Sequence, residues 1–289
     1  MDMGGMRRDI VFVNIAVLLF GLAGLFAKWI HLPAIGIVFG RVLFSSIALW
    51  SYLFIRKQSV RIANRRDLLL MLCAGAILAF HWWAFMESIQ LSSVAIGTIT
   101  FSTFPLFVTF LEPLIFRRKP ETRYVIIAVV ILVGVMITVP EFSFENRTFI
   151  GILIGEASAF SYAILTIFNK GIANRYSSTV VAFYEQATAA VALSPFMLTL
   201  SIRPSASDLA LLLFLGVITT ALAHTLFITS LKTIPAQLAG ICSSMETVYG
   251  ILFALILLGE IPAAREITGA VVIIAAVVFA QINPRTGSC

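Results

Sequence analysis

Charged side chains are scarce in this sequence. They make up 12% of its 289 residues, whereas 60% of the residues are hydrophobic. A soluble globular domain carries about 25% charged residues, so this composition excludes a soluble protein. Long polar segments are missing as well, because the longest stretch between apolar runs extends only from Arg56 to Asp67. No soluble domain or nucleotide-binding fold fits between the runs.

Motifs of nucleotide hydrolysis and metal catalysis are also missing. The sequence has no GxxxxGK[ST] segment, which argues against ATP-driven transport by this chain alone. It has no HExxH or DxxD segment. Its three cysteines, Cys73, Cys242 and Cys289, lack the spacing of a disulfide framework or a metal site. We therefore expect no metal, no cofactor and no enzymatic activity.

Long apolar runs are what the sequence does contain. A run of about 18 or more apolar residues forms a membrane-spanning helix, because a helix satisfies its own backbone groups within about 30 Å of hydrocarbon. The sequence predicts an all-α integral membrane protein with ten transmembrane helices, at residues 10–30, 35–55, 67–88, 93–116, 122–140, 149–171, 178–200, 208–231, 235–258 and 264–282.

The basic residues are distributed unevenly between the two ends of these helices. Of the 20 lysines and arginines, fifteen lie at one set of ends, five of them in the loop 56–66. The opposite ends hold only Arg147, Arg203 and Arg265. Lysine and arginine accumulate on the cytoplasmic side, so we predict a multi-pass protein of the cell (inner) membrane with both termini cytoplasmic. Because topology accounts for the basic residues, the net charge of +6 gives no reason to expect a nucleic-acid partner.

The two halves of the sequence match one another. A shift of 142 positions aligns Lys28 with Lys170, and a shift of 144 positions aligns Phe39 with Phe183. Apolar segments match easily by chance, so the charges of the loops decide whether the halves are true repeats.

The equivalent loops carry different charges. The loop 56–66 has five basic residues, whereas its counterpart near 202–207 has one. A unit of five helices is inserted upside down the second time, and this inversion explains the lost positive charge. We therefore predict two inverted five-helix repeats, residues 1–142 and 143–289, which is the layout of an inverted-repeat transporter.

Several short segments resemble a known transporter family. Gly259–Glu260 precedes the last helix, Ser88–Leu91 precedes the fourth, and Ser158–Ala163 lies in the sixth. Together with the two repeats, these segments resemble the EamA branch of the drug/metabolite transporter (DMT) superfamily. The first half departs from the pattern, since Arg118 stands where the second half has Glu260.

The resemblance implies a secondary transporter that exports small metabolites, often amino acids. The third helix, rich in phenylalanine and tryptophan, is similar to that of YddG-type amino-acid exporters, which makes aromatic or other neutral amino acids the expected substrates. A nucleotide sugar or a drug is the alternative within the superfamily. An intramembrane enzyme or a channel is the alternative from another class, but the polar residues form neither a reactive set nor a ring of like groups.

Polar side chains inside the predicted helices are the first candidates for substrate binding, because such groups are costly in hydrocarbon and commonly face a cavity. Glu246 lies near the middle of helix nine, and Ser243 and Ser244 accompany it on a polar face. We predict that Glu246 binds a substrate amine or a coupling proton. Thr100 and Ser102 form the facing polar surface in helix four.

Aromatic and imidazole side chains are the second group of candidates. His81 and Trp82 lie in helix three, His224 lies in helix eight, and Tyr162 and Tyr249 lie in helices six and nine. A histidine titrates near neutral pH, which suits proton coupling. The shift of 142 places Trp82 on His224, so the two membrane histidines are not repeat partners.

Charged residues near the helix ends complete the candidates. Lys28 and Lys170 end helices at matched repeat positions on opposite sides of the membrane, and we consider both as gate residues. Buried opposite charges should pair, so we expect an outer cluster with Arg41 and Glu156 and an inner cluster with Glu112, Lys170 and Glu185. No basic side chain is expected at the membrane centre, which favours a neutral or zwitterionic substrate.

The layout predicts alternating access, with substrate near the midplane between two rocking repeats. We expect helices one, three, four, six, eight and nine to line the cavity, helices two and seven to close its sides, and helices five and ten to be peripheral. The predicted partners are a small-molecule substrate, the lipid bilayer and a coupling proton. Nothing in the sequence requires an oligomer.

Overall fold

The computed structural model describes residues 3–117, 121–138, 143, 145–200 and 203–282. Its regular elements within these ranges are all helices, which confirms the all-α prediction. Seven helical stretches are long and apolar enough to cross a membrane: Met6–Trp29, Ala34–Ile55, Arg65–Leu91, Val94–Ile115, Arg147–Ile172, Ala206–Ser230 and Ala236–Leu258. A shorter apolar helix covers Thr122–Ile137. Arg118, Cys289 and residues 139–140 of the predicted fifth span lie outside the described residues.

The helices are numbered along the chain. They are α1 (Met3–Ala23), α2 (Phe26–Trp29), α3 (Ala34–Ile55), α4 (Arg65–Leu91), α5 (Val94–Phe101), α6 (Phe104–Ile115), α7 (Thr122–Thr138), α8 (Arg147–Ile172), α9 (Ser178–Thr199), α10 (Ala206–Gly216), α11 (Ala223–Ser230), α12 (Ala236–Ser243), α13 (Met245–Leu258) and α14 (Ala264–Ile282). A π-helical segment, Val217–Leu222, joins α10 to α11.

Polar caps fix where several helices begin. Asn64, Ser93 and Asn146 each accept a hydrogen bond from a backbone N–H two or three residues further along the chain. Ser205 and Asp208 form a capping box at the start of α10. These side chains satisfy N–H groups that the first turn of a helix leaves without a partner.

Two of the helical stretches are interrupted near their middle. Helix α5 gives way to α6 at Ser102–Thr103, and Pro105 lies in the first turn of α6, where the missing N–H of proline is tolerated. Helix α12 gives way to α13 at Ser244. The repeat shift of 142 places Ser102 on Ser244, so both halves are interrupted at the same place.

The helix contacts follow the internal repeat. Helix α4 packs on α8, and in the second half its counterpart packs on α1 through the π-helical segment and α11. Likewise α5 and α6 contact α8, while α12 and α13 contact α1. Helix α3 pairs with its counterpart α9, and α7 pairs with α14. Exchanging the two halves therefore reproduces the packing.

The same exchange relates contacts at the ends of the bundle. Asp67, near the start of α4, accepts hydrogen bonds from Arg175 at 2.7 Å and Tyr176 at 2.9 Å, both in the loop after α8. Asp208, near the start of α10, accepts one from the backbone N–H of His31, in the loop after α2, at 3.2 Å. Each half thus anchors its third helical stretch to a loop of the other half.

Large apolar side chains cover the outside of the bundle. Leu198 is 90% exposed, Ile261 86% and Phe54 74%. A soluble monomer rarely exposes extensive apolar surface, whereas a lipid bilayer solvates it. The outer surface therefore fits a membrane-embedded protein.

Candidate substrate site

A small cavity of about 20 Å³, enough for about one water molecule, lies between the two halves of the bundle. Helices α1, α3, α4, α5, α8 and α13 line it with Phe20, Ala23, Arg41, His81, Trp82, Phe85, Phe101, Tyr162 and Glu246. Among the described residues, α7 and α14 contribute nothing to this lining, as predicted. Two expectations are wrong, because the predicted eighth span contributes no lining residue and the second contributes Arg41.

Arg41 is the basic side chain of the cavity, although the sequence predicts it in an outer polar cluster and not at the substrate site. It lies seven residues, or about 10 Å, from the start of α3 at Ala34 and is 1% exposed. Its guanidinium carbon lies 4.0 Å from the centre of the Trp82 ring. Its Nε donates a hydrogen bond to Thr220 Oγ1 at 3.0 Å. Cation–π attraction and this hydrogen bond fix the guanidinium plane.

The π-helical segment Val217–Leu222 positions the partner of Arg41. Thr220 lies within this segment and also donates a hydrogen bond to the carbonyl oxygen of Leu215, five residues earlier, at 2.7 Å. Isolated π-helical turns are uncommon and frequently accompany functional sites. Here the irregular turn orients the hydroxyl that holds Arg41 against the cavity.

Glu246 is the acidic side chain of the cavity. It is 4% exposed and lies in the first turn of α13, directly after the interruption at Ser244. The positive end of the helix dipole favours a carboxylate there. Within the described residues, the carboxylate accepts no hydrogen bond, and no ion pair within 4.0 Å joins it to Arg41. Both charged groups therefore remain available to a ligand.

Aromatic rings form one wall of the cavity. The rings of His81 and Tyr162 lie 4.5 Å apart, and Phe101 packs beside them at 5.3 Å from His81 and 5.5 Å from Tyr162. Ser158 holds the imidazole, because its hydroxyl lies 2.8 Å from His81 Nδ1. The buried Tyr162 hydroxyl has no hydrogen-bond partner in the described part of the chain. This wall offers an apolar surface with one free hydroxyl.

His224 lies behind Trp82 rather than on the cavity surface. Its ring meets the Trp82 ring edge-on, with centroids 5.7 Å apart. Its Nε2 lies 2.7 Å from Glu185 Oε2, and both side chains are fully buried. Asn169 also donates to Glu185 Oε2, at 3.5 Å. The structure thus places His224 outside the cavity lining, in contact with Trp82.

The remaining predicted site residues support the walls. Thr100 and Ser243 each donate a hydrogen bond to a carbonyl oxygen four residues earlier in their own helices. Ser102 hydrogen-bonds Thr247 across the two interrupted stretches. Tyr249 packs against α1 at Gly21, where any side chain would collide with it.

Ser244 lies at the second interruption itself. Its side chain is 1% exposed, and its hydroxyl has no hydrogen-bond partner among the described residues. It is not among the residues that line the cavity.

The two predicted gate lysines bind equivalent backbone carbonyls. Lys28 Nζ donates to the carbonyl oxygen of Ser92 at 3.0 Å, just after α4. Lys170 Nζ donates to those of Leu231 at 2.7 Å and Ile234 at 2.8 Å, just after α11. Since the repeat shift of 142 places Ser92 on Ile234, the two lysines secure the same junction in each half. Cations are favourable at helix C-termini.

Glutamates complete these junctions. Glu260 accepts a hydrogen bond from the N–H of Val94, at the start of α5, at 3.3 Å. Glu112 accepts one from the N–H of Gln237, near the start of α12, at 3.2 Å. Each interrupted stretch therefore caps the beginning of the other.

The sequence matches the model of the EamA-like transporter family twice, over residues 8–139 and 149–281. This chain belongs to the EamA-like transporter family. The two matches agree with the duplicated packing of the helices.

Curated relatives resemble this EamA protein over most of its length. The uncharacterized transporter YxxF of Bacillus subtilis is 23% identical, covering 93% of this chain and 88% of its own. The S-adenosylmethionine uptake transporter of Rickettsia felis is 24% identical, covering 86% and 83%. The uncharacterized inner membrane transporter YicL of Salmonella typhimurium is 24% identical and covers 98% of both chains. These relatives are named transporters.

A solved crystal structure shares the fold of this EamA protein. It superimposes with a TM-score of 0.75 over 98% of both chains at 16% sequence identity. At this level of identity, the likeness shows the fold alone.

The sequence predicts an outer and an inner polar cluster in this EamA protein, and the structure shows which of their side chains touch. Arg41 does not pair with Glu156, whose carboxylate accepts a hydrogen bond from Thr103 at 2.7 Å. Glu185 pairs with His224, while Lys170 binds backbone carbonyls. The sequence contains one signal for Arg41, because an ionisable residue inside a predicted span commonly faces a cavity. The sequence does not show which faces of the helices meet.

Proposed function

We propose that this EamA protein is a secondary active transporter that exports small α-amino acids, aromatic or other neutral ones, by alternating access. The observation that carries the proposal is the pairing of charges in the cavity: Arg41 and Glu246 line one buried space and do not neutralise each other by direct contact. An α-amino acid presents a carboxylate to the guanidinium and an ammonium group to the glutamate. Its side chain would pack on the aromatic wall. Charge-assisted hydrogen bonds are the strongest available for such recognition.

The interrupted helices support the alternating-access part of the proposal. Transporters with inverted repeats commonly bind substrate at discontinuous helices near the bilayer midplane. Here both interruptions, at Ser102–Thr103 and Ser244, adjoin the helices that carry the cavity. The symmetric packing and the inverted loop charges support ten spans in two inverted repeats, 1–142 and 143–289. Rocking of one repeat against the other would expose the cavity to either side.

The loop charges support an orientation with both termini in the cytoplasm of an inner-membrane protein. Single cysteines at Ser59→Cys and Ser143→Cys, in a chain whose three native cysteines are replaced, test this orientation. An impermeant thiol reagent added to intact cells should label position 143 and leave position 59 unlabelled. The reverse pattern would contradict the orientation.

A transport panel in proteoliposomes tests the substrate class. Purified protein would be assayed for exchange of radiolabelled phenylalanine, methionine, S-adenosylmethionine, a nucleotide sugar and a cationic drug. We expect exchange of the amino acids, and its loss in Arg41→Gln. Exchange of the nucleotide sugar or the drug without exchange of any amino acid would contradict the proposal. Net efflux from preloaded cells tests the direction.

S-adenosylmethionine is the second candidate substrate, since relatives named for its uptake are 24% identical to this chain. Its methionine part carries the same carboxylate and ammonium groups, so Arg41 and Glu246 would hold it in the same way. Its sulfonium would face the aromatic wall through cation–π attraction. A nucleotide sugar fits less well, because its phosphates would meet one guanidinium beside a glutamate.

A further inference from the structure

The buried pair formed by His224 and Glu185 has no role in the substrate site described above. Its two side chains are 0% exposed and lie on α11 and α9, with 2.7 Å between Nε2 and Oε2. Charged groups are rarely placed so deep inside a membrane protein without a function in transport or proton movement.

Several atoms around the pair are left without a hydrogen-bond partner. Among the described residues, His224 Nδ1, Glu185 Oε1 and Asn169 Oδ1 have no partner, and all three are buried. Buried polar atoms are almost always satisfied, so a group of unsatisfied ones needs an explanation. The free ring nitrogen and the free carboxylate oxygen are both places where a proton can bind.

The pair of Glu185 and His224 is the repeat counterpart of Arg41 and Trp82 in the substrate site. The shift of 144 places Arg41 on Glu185, and the shift of 142 places Trp82 on His224. The two pairs meet at the contact between the Trp82 and His224 rings. Arg41 lies over the face of the same indole, 4.0 Å from its centre. One aromatic ring therefore separates the buried pair from the guanidinium.

We propose that the Glu185–His224 pair binds the coupling proton, at a site separate from the substrate cavity. One proton taken from water converts the pair from a neutral imidazole and a carboxylate, with net charge −1, to a neutral pair. This change would alter the attraction felt by Arg41 across Trp82 and so its readiness to bind a substrate carboxylate. The proposal rests on the proposed function of the cavity as a substrate site.

A proton suits the site better than a sodium ion. Sodium, like other hard cations, prefers a shell of oxygen ligands, and here an imidazole nitrogen occupies the closest position to the carboxylate. The other titratable or charged groups facing this region from the surrounding helices are Arg41, His81, Tyr162 and Glu246. His81 is the one that most resembles His224 and provides the matched control.

The fluorescence of Trp82 reports the protonation of the pair without any substrate. Replacing Trp29, Trp50 and Trp83 by phenylalanine leaves Trp82 as the single tryptophan of the four. A protonated imidazole quenches a neighbouring indole, so the emission should fall as the pH is lowered through the transition of the pair.

Variants assign that transition. Glu185→Gln and His224→Asn should each abolish or displace it, and His81→Asn should leave it in place. A transition that persists in both pair variants, or that disappears in His81→Asn, would overturn the proposal. So would a change in emission that follows sodium concentration at constant pH. Size-exclusion profiles in detergent check that each variant is folded.

A transport assay then separates coupling from substrate binding. In proteoliposomes, Glu185→Gln should keep exchange of radiolabelled phenylalanine but lose its acceleration by a pH gradient. The wild type must first respond to the pH gradient. If folded Glu185→Gln then keeps both the exchange and its acceleration by the gradient, the coupling role is refuted. If the wild type moves no amino acid at all, the proposed function fails, while the fluorescence titration still tests proton binding by the pair.

Discussion

Two pairs of side chains occupy equivalent positions in the two halves of this transporter and have opposite chemistry. In the first half, the cation Arg41 lies against Trp82 at the edge of the cavity. In the second half, the anion Glu185 lies against His224 with no exposure at all. The comparison shows that two equivalent positions in the repeat can suit different ligands. What a site can bind also depends on whether its side chains reach the cavity. A site open to the cavity can bind a metabolite, whereas a closed one admits little more than a proton.

The backbone around both pairs confirms that they are equivalent. A side chain at Gly75 in α4 would collide with the carbonyl oxygen of Glu185, and one at Gly216 in α10 would collide with that of Arg41. Each glycine therefore lets its helix approach the helix that carries the charged residue. The scaffold is shared, and the difference lies in the side chains placed on it.

Removing the cation of the cavity should have the largest effect. Arg41→Gln is expected to weaken phenylalanine binding about a hundredfold, because charge-assisted hydrogen bonds contribute up to about 3 kcal/mol. A scintillation proximity assay on purified protein measures it. Arg175→Gln, which replaces an arginine that is 59% exposed and far from the cavity lining, is the control and should bind normally. Binding by Arg41→Gln within threefold of wild type would rule out the guanidinium as the carboxylate site.

Removing the cavity carboxylate should have a smaller and more selective effect. Glu246→Gln keeps the shape of the side chain but loses the charge, so phenylalanine binding should weaken about tenfold. Binding of 3-phenylpropionate, which lacks the amine, should not weaken. Competition against radiolabelled phenylalanine measures both ligands in one assay. Equal losses for the two ligands would show that Glu246 does not recognise the amine.

Removing a hydrogen bond of Arg41 while keeping its charge should weaken phenylalanine binding less. Thr220→Val deletes the acceptor of Arg41 Nε, and one hydrogen bond of about 1 kcal/mol corresponds to about fivefold weaker binding. Thr219→Val is the matched control, since that hydroxyl donates to the carbonyl oxygen of Leu215 and, among the described residues, has no contact with Arg41. Equal effects of the two substitutions would point to the π-helical segment as a whole rather than to the contact with Arg41.

The junction lysines should affect rate more than affinity. Lys28→Met and Lys170→Met each remove a cation from the end of one helical stretch, an interaction of about 0.3–1 kcal/mol. Exchange rates should change about two- to fivefold, with binding of phenylalanine unaltered. Lys57→Met, in an exposed loop, serves as the control. A change in affinity without a change in rate would contradict a gate role.

Much of the fold follows from the sequence because hydrophobic length is a local property. The apolar run predicted at 35–55 corresponds to Ala34–Ile55, and that at 235–258 to Ala236–Leu258. The interruption at Ser244 was not predicted, since a helix can stop and restart without any change in hydrophobicity. The π-helical segment was missed for the same reason.

The candidate site was predicted in part. Glu246, His81, Trp82 and Tyr162 are recognisable in the sequence as polar or aromatic groups inside spans, and all four line the cavity. Arg41 was missed as a cavity residue because its role depends on which helix faces meet. That is decided by packing between residues far apart in the chain, as the contact of Arg41 with Thr220 shows.

The π-helical segment Val217–Leu222 also explains a change of register between the repeats. Before it, Gly75 aligns with Gly216 at a shift of 141, and after it Trp82 aligns with His224 at a shift of 142. The segment therefore accommodates one inserted residue, which in a regular α-helix would turn the rest of the helix by about 100°. Without this wide turn, His224 would point away from the Trp82 ring. A single extra residue, absorbed without breaking the helix, is thus what brings the two unlike halves of the duplication into contact.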